Sequence, residues 1–505
     1  MMQNWSLLAV ALVCAVTVGV GSWGLRLSRA TSDFYVAGRQ VTPWRNASAI
    51  GGEYLSAASF LGVAGLVYDR GVDMLWFPIG YTVGYVVLLV LIAAPLRRSG
   101  AYTLPDFAEA RLESRRIRTM CSVLVVAIGW LYLVPQFQGA GLALQLVTGW
   151  PTWVGGLVVA IVVNIAVAAG GMRSITIVQA MQYWIKLVAI AIPAFLLLAA
   201  WHRAGAPAPV QDITWQFPIG TGSHSSLYST YSTLLALCLG TMGLPHVLVR
   251  FYTNPDGRDA RRTTVAVITL LGLFYIFPPI YALLGRVYLP DLPAGVRPDS
   301  IVLRLPQIVF SGALGDFLAA LLAAGAFAAF LSTASGLVVS VSGVLDQDVL
   351  RARLGRLTGE DAFGAAGFRI ATIGAVAIPF VLSRLLEPLG LAATVGLAFA
   401  VAASTFAPLL VLGVWWPRLT TTGAAAGLAV GGLTAAISVG STIVLGPQSG
   451  WLGMLLSQPA AWSAPLAFAT TIGVSLATPK KTPRHTAATL TRLHTPESIL
   501  PTAGS

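Results

Sequence analysis

The chain has 505 residues, of which 56% are apolar and 10% charged, with a mean hydropathy of +0.77 and a formal net charge of +12. Soluble domains carry about 25% charged residues, and a bilayer-crossing helix needs about 20 apolar residues. A soluble enzyme, a nucleic-acid binder and a disulfide-stapled secreted domain are therefore excluded, leaving a polytopic membrane protein.

Apolar runs bounded by charges and Gly/Pro clusters predict thirteen spans, near 5–24, 46–67, 74–96, 119–148, 151–169, 175–201, 229–248, 264–285, 313–343, 366–383, 388–415, 421–445 and 461–478. No basic residue precedes the first run, and Arg26 and Arg29 follow it, so it reads as a retained span rather than a cleaved signal peptide. Loops on the Arg26 side, with Arg250 counted among them, hold 24 Lys and Arg residues against six on the opposite side. This asymmetry predicts an outside N-terminus and an inside C-terminus, and it accounts for the positive charge without nucleic acid. Cys14, Cys121 and Cys238 all fall within apolar runs and read as small apolar fillers. The basic residues are 28 Arg and 3 Lys, a bias that points to a GC-rich bacterial genome and so to a bacterial plasma membrane. Residues 479–505 are polar and are expected to form a disordered cytoplasmic tail, too short for a signalling domain.

The interruptions of this pattern carry the functional information. The second span contains Gly51-Gly52-Glu53-Tyr54-Leu55-Ser56-Ala57-Ala58-Ser59, and the seventh contains Gly240-Thr241-Met242-Gly243-Leu244-Pro245-His246. Glycine loosens a helix, and proline removes a backbone donor. Each interrupted span opens a set of five, and an odd repeat length inverts the second set relative to the first. Broken helices at matching positions of inverted halves are the mark of a secondary transporter, because unwound backbone survives in a bilayer only where it lines a cavity. In the ninth span, Ser332 and Thr333 have small neighbours and offer uncharged oxygens suited to a hard monovalent cation; the same hydroxyls would also serve in interhelical bonding.

Pro43-Trp44, Gly170-Gly171-Met172-Arg173, Gly243-Leu-Pro-His-Val-Leu-Val-Arg250-Phe251 and Leu331-Ser332-Thr333 resemble the sodium:solute symporter family from about residue 30 to 420. Within it, Glu53-Tyr-Leu-Ser-Ala-Ala-Ser-Phe-Leu-Gly62, Tyr102-Thr-Leu-Pro-Asp-Phe107 and Arg250-Phe-Tyr-Thr-Asn-Pro-Asp-Gly257 resemble the cation/acetate permease branch. The resemblance implies an all-α membrane fold with a leucine-transporter-type inverted five-plus-five core, one helix before it and two after. The corresponding division is 1–44 (extra helix and loop), 45–201 (first repeat), 202–228 (extracellular loop), 229–415 (second repeat), 416–478 (two C-terminal helices) and 479–505 (tail). It implies cation-coupled symport of a short monocarboxylate such as acetate, propionate or pyruvate into the cell. Na+ is the expected coupling ion, with no cofactor and no enzymatic activity. A Na+- or H+-coupled importer of another small solute, such as an amino acid, is the alternative, and a transporter-like sensor a further one.

The same resemblance assigns Na+ to the carbonyls of Gly52, Leu55 and Ala329 and the hydroxyls of Ser332 and Thr333. Many relatives carry a Thr-Asp pair in the fifth core helix where this chain has Val178-Gln179; the neutral Gln179 brings H+ into consideration. Tyr54, Ser56, Ser59, Gln136, Gln138, Thr241 and Gly243 are the candidate substrate residues. Glu53 and Lys186 are ionisable groups within spans, where an uncompensated charge costs about 2.5–3.5 kcal/mol on insertion scales. Glu53 is expected to point away from an anionic substrate and to be paired, with Lys186 as partner, or protonated; the alternative for Lys186 is titration in the transport cycle or attraction of the carboxylate. His246 is expected to pack and hydrogen-bond, with a proton relay as the alternative.

Overall fold

The computed structural model describes residues 2–23, 37–209, 224–351, 364–386, 389–446, 450–497 and 499. Among them every regular element is helical. In chain order these are α1 (Met2–Trp23), α2 (Pro43–Tyr54), a π-turn (Ala58–Gly62) running into α3 (Val63–Arg70), α4 (Trp76–Leu91), α5 (Ala93–Arg98), α6 (Leu104–Leu112), α7 (Arg115–Thr148) and α8 (Thr152–Arg203). Next come α9 (His224–Thr241), α10 (Pro245–Phe251), α11 (Gly257–Tyr275), α12 (Phe277–Tyr288), α13 (Ile301–Val309) and α14 (Ala313–Val344). The chain closes with α15 (Gly364–Leu385), α16 (Leu391–Trp415), α17 (Thr421–Leu445), α18 (Gly450–Ser457), α19 (Ala460–Ala477) and α20 (Thr486–His494).

Eleven of the helical stretches are long and apolar enough to cross a bilayer, or twelve with the bent pair formed by α2 and the Ala58–Arg70 stretch. Thirteen spans were expected; α8 accounts for the difference. Its 52 residues would extend about 78 Å at 1.5 Å per residue, well over twice the hydrocarbon thickness. Gly171 divides it with φ 57° and ψ −157°, a conformation open to glycine alone.

Both expected interruptions are breaks in the chain's helical path. α2 ends at Tyr54, Leu55 leaves the helical region (φ −73°, ψ 85°), and the helix resumes at Ala58 after a 68° bend. α9 ends at Thr241, and α10 begins on Pro245, whose missing N–H is harmless at the first helical position. Close approach of helices at these breaks depends on missing side chains. A Cβ on Gly52 would lie 2.1 Å from the Gln179 carbonyl oxygen, and one on Gly336 would lie 2.0 Å from the Glu53 carboxylate. α2, α8 and α14 thus form a closely packed central group, with α1 lying along α8 and α14.

Two expectations need correction. Arg250, counted as a loop residue, is wholly buried in α10, because the helix continues six residues past Pro245. The segment after residue 478 is not disordered where it is described. Pro479–Lys481 form a 3₁₀ turn and α20 packs on α5, α6 and α16, with Leu493 buried. Arg98 Nη1 donates to the Leu493 carbonyl and Arg111 Nη1 to the Thr486 hydroxyl, each at 3.3 Å, so two arginines of the bundle hold this helix down. The expected loop at 202–228 lies partly outside the described residues.

Candidate functional site

Glu53 closes the last turn of α2, and its side chain turns toward α10. Arg250 Nε donates to Glu53 Oε2 at 2.6 Å, Nη1 donates to Thr176 Oγ1 at 2.8 Å, and Nη2 donates to Gln179 Oε1. The partner of Glu53 is therefore Arg250 rather than Lys186. The planar guanidinium spreads its N–H groups over three nitrogens and so reaches acceptors on two helices at once, while the Lys186 amine is engaged elsewhere. Gln179 uses its amide at both ends: Oε1 accepts from Arg250 and Nε2 donates to the Ser332 carbonyl at 2.7 Å. It thereby ties α8 to both α10 and α14.

Lys186, also wholly buried in α8, reaches the break itself. Its Nζ donates to the carbonyl of Gly52, to that of Leu55 at 2.7 Å, and to Ser332 Oγ at 2.7 Å. Ser332 Oγ in turn donates to the Ala329 carbonyl at 3.0 Å, and Thr333 Oγ1 donates to the Glu53 carbonyl. The five residues expected to hold Na+ are thus brought together around the α2–α14 contact, with the Lys186 amine among them.

The candidate substrate residues fall into three groups. Tyr54 lies against the second break, its hydroxyl 2.8 Å from Thr241 Oγ1. Edge-on contacts with Tyr81, Tyr85 and Phe399 surround its ring at centroid distances of 5.8, 4.9 and 6.1 Å. Ser59 Oγ is 2.8 Å from the Tyr275 hydroxyl, and Tyr275 stacks on Tyr81. Ser56, buried within the break, lies beside Tyr132. These residues form one enclosed, aromatic-walled region joining both breaks. Buried hydroxyls of Tyr81 and Tyr85 there have no hydrogen-bond partner among the described residues. Sequence reading missed these two tyrosines, which sit in the unbroken α4; the signal available was the pair of tyrosines one turn apart, at 81 and 85.

Gln136 belongs to a second group, because its amide is already spent. Oε1 accepts the Ala57 N–H at 3.0 Å and so satisfies a free donor where the helix resumes; Nε2 donates to the Tyr132 carbonyl at 3.3 Å. Gly243 likewise serves packing: a Cβ there would lie 2.6 Å from the Ala402 carbonyl oxygen of α16. Gln138 stands apart from the break. It donates to the Leu386 carbonyl at 3.1 Å and lines a cavity of about 300 Å³ with Arg297 and Arg384. His246 packs edge-on against Tyr132 at 5.2 Å, and neither ring nitrogen has a partner among the described residues, so it packs as expected without the hydrogen bonding expected of it.

Two broken helices that meet at their breaks inside a helical membrane bundle are the arrangement of a secondary transporter's central site. Solved structures with the same fold include a Na+-coupled sialic acid symporter in a substrate-bound outward-open state (TM-score 0.72, 16% identity, covering 94% of this chain and 97% of that one). They also include Mhp1, a nucleobase-cation-symport-1 transporter in a closed conformation with bromovinylhydantoin bound (TM-score 0.57, 13% identity, 91% and 98%). Residues 34–431 match the sodium:solute symporter family. YwcA of Bacillus subtilis (strain 168), described as an uncharacterized symporter, is 32% identical over 476 residues, covering 92% of each chain. The chain belongs to the sodium:solute symporter family, and it is a multi-pass membrane transporter.

Proposed function

We propose that this protein imports a short-chain monocarboxylate, of the size of acetate, propionate or pyruvate, in symport with a monovalent cation. The observation that carries the reading is the enclosed region between the two breaks. It is walled by Tyr54, Tyr81 and Phe399 and offers the unpartnered hydroxyls of Tyr81 and Tyr85. Hydroxyls donate to a carboxylate without bringing a second full charge into the bilayer, and an aromatic wall suits a one- to three-carbon chain. Glu53, the one carboxylate on α2, is held by Arg250. Facing a bound anion at 4 Å, it would repel it by about 4 kcal/mol at an effective dielectric of 20. Symport then requires that the cation bind one conformation better than the other, since only that difference moves the equilibrium.

Uptake into proteoliposomes tests the reading. Labelled acetate, propionate and pyruvate are supplied under separately imposed Na+ and H+ gradients, with unlabelled amino acids as competitors. Gradient-driven accumulation of at least one acid is expected, and Tyr85→Phe should raise its KM about tenfold, the worth of a lost hydrogen bond to a charged group. Accumulation of an amino acid with none of the three acids would replace this reading.

A further inference from the structure

The oxygens at the α2–α14 contact already face a basic group, and it belongs to the protein. Lys186 Nζ faces three oxygens: the Gly52 and Leu55 carbonyls and Ser332 Oγ. The carbonyls can only accept, and the Ser332 hydroxyl gives its own proton to the Ala329 carbonyl. All three contacts therefore draw on N–H groups of Lys186, which uses every donor of an ammonium and exceeds the two of a neutral amine. The other two oxygens expected to face Na+ are also engaged, since the Ala329 carbonyl accepts from Ser332 and Thr333 Oγ1 donates to the Glu53 carbonyl.

Charge argues against a further cation at this contact. α2 and α8 contain one acidic residue between them, Glu53, and the acid of α14, Asp316, lies in its first turn, four helical turns from Ser332. Glu53 is already matched by Arg250. What remains for the ammonium is the C-terminal end of α2, where unpaired carbonyls carry partial negative charge. Nothing at this contact is left to balance a second cation, and an ion bound to the same carbonyls would coincide with Nζ.

We propose that Lys186 is a tethered cation that fills this seat and orders the unwound segment of α2, so that the chain does not bind Na+ there. The inference deepens the reading above by removing Na+ at this seat from the candidate coupling ions, and it rests on the transporter fold rather than on the identity of the substrate.

The test uses purified full-length protein without substrate, comparing NaCl with choline chloride by thermal unfolding and by binding of labelled Na+. Wild type is expected to show no Na+-specific binding that Ser332→Ala or Thr333→Ala weakens. Lys186→Ala vacates the seat and is expected to bind Na+ at least tenfold more tightly than wild type, a gain that Ser332→Ala in the same chain removes. Na+ binding by wild type that falls tenfold in Ser332→Ala would overturn the proposal, as would a folded Lys186→Ala protein with no gain. Should Lys186→Ala fail to fold, the wild-type and Ser332→Ala pair still decides. Because no substrate is present, failure of monocarboxylate uptake leaves this result untouched, and the reverse also holds.

Discussion

Arg250 and Glu53 are the residues whose loss the molecule should tolerate least. Both are buried, and the pair is joined by one direct contact with Thr176 and Gln179 completing it. Removing one member of a buried pair leaves the other uncompensated, at a cost of about 3–5 kcal/mol. Arg250→Met is expected to lower thermal stability by that amount in detergent, and adding Glu53→Gln should recover at least a third of the loss. A double variant no more stable than Arg250→Met would show that Glu53 draws its stability elsewhere. In the sequence, the depth of Glu53 and Lys186 was legible because each interrupts an apolar run. Their partners were not legible. The acceptors of Lys186 are mostly backbone carbonyls, which no side-chain pattern marks, and they lie more than 130 residues away. Arg250 sits at the end of its apolar run, where charge alone suggests a loop.

At the scale of elements, the breaks were legible because they are written in side chains: paired glycines, a proline and clustered hydroxyls. The kink in α8 was legible only as a gap between two expected spans, and its geometry falls on Gly171. Any side chain there meets a backbone conformation that costs of the order of 1–3 kcal/mol. Gly171→Ala is expected to lower the unfolding temperature or the folded yield, while Gly272→Ala, in open space on α11, should leave both unchanged or slightly raised. Equal stability of the two variants would mean that the halves of α8 meet without strain. Pairing of the two breaks through the Tyr54–Thr241 contact could not have been read from hydropathy, since it depends on the inverted packing of one repeat against the other.

For the whole molecule, α20 is the element that sequence composition misjudged. It is short and weakly apolar, with Leu493 as its buried apolar anchor, and its place is also held by Arg98 and Arg111, which lie nearly 400 residues earlier. Ending the chain at Thr478 removes these acceptors and is expected to destabilise the bundle by about 1–3 kcal/mol, measured by thermal unfolding. Full stability after truncation would show the contact to be ornamental. Lys186 carries a different consequence for the molecule as a whole. A ligand fixed to its own site has an effective concentration set by the chain that carries it, whatever the surrounding solution contains. Diluting or enriching salt outside the cell would then leave occupancy of that seat unchanged, and the broken helix would keep its order in fresh water and in brine alike.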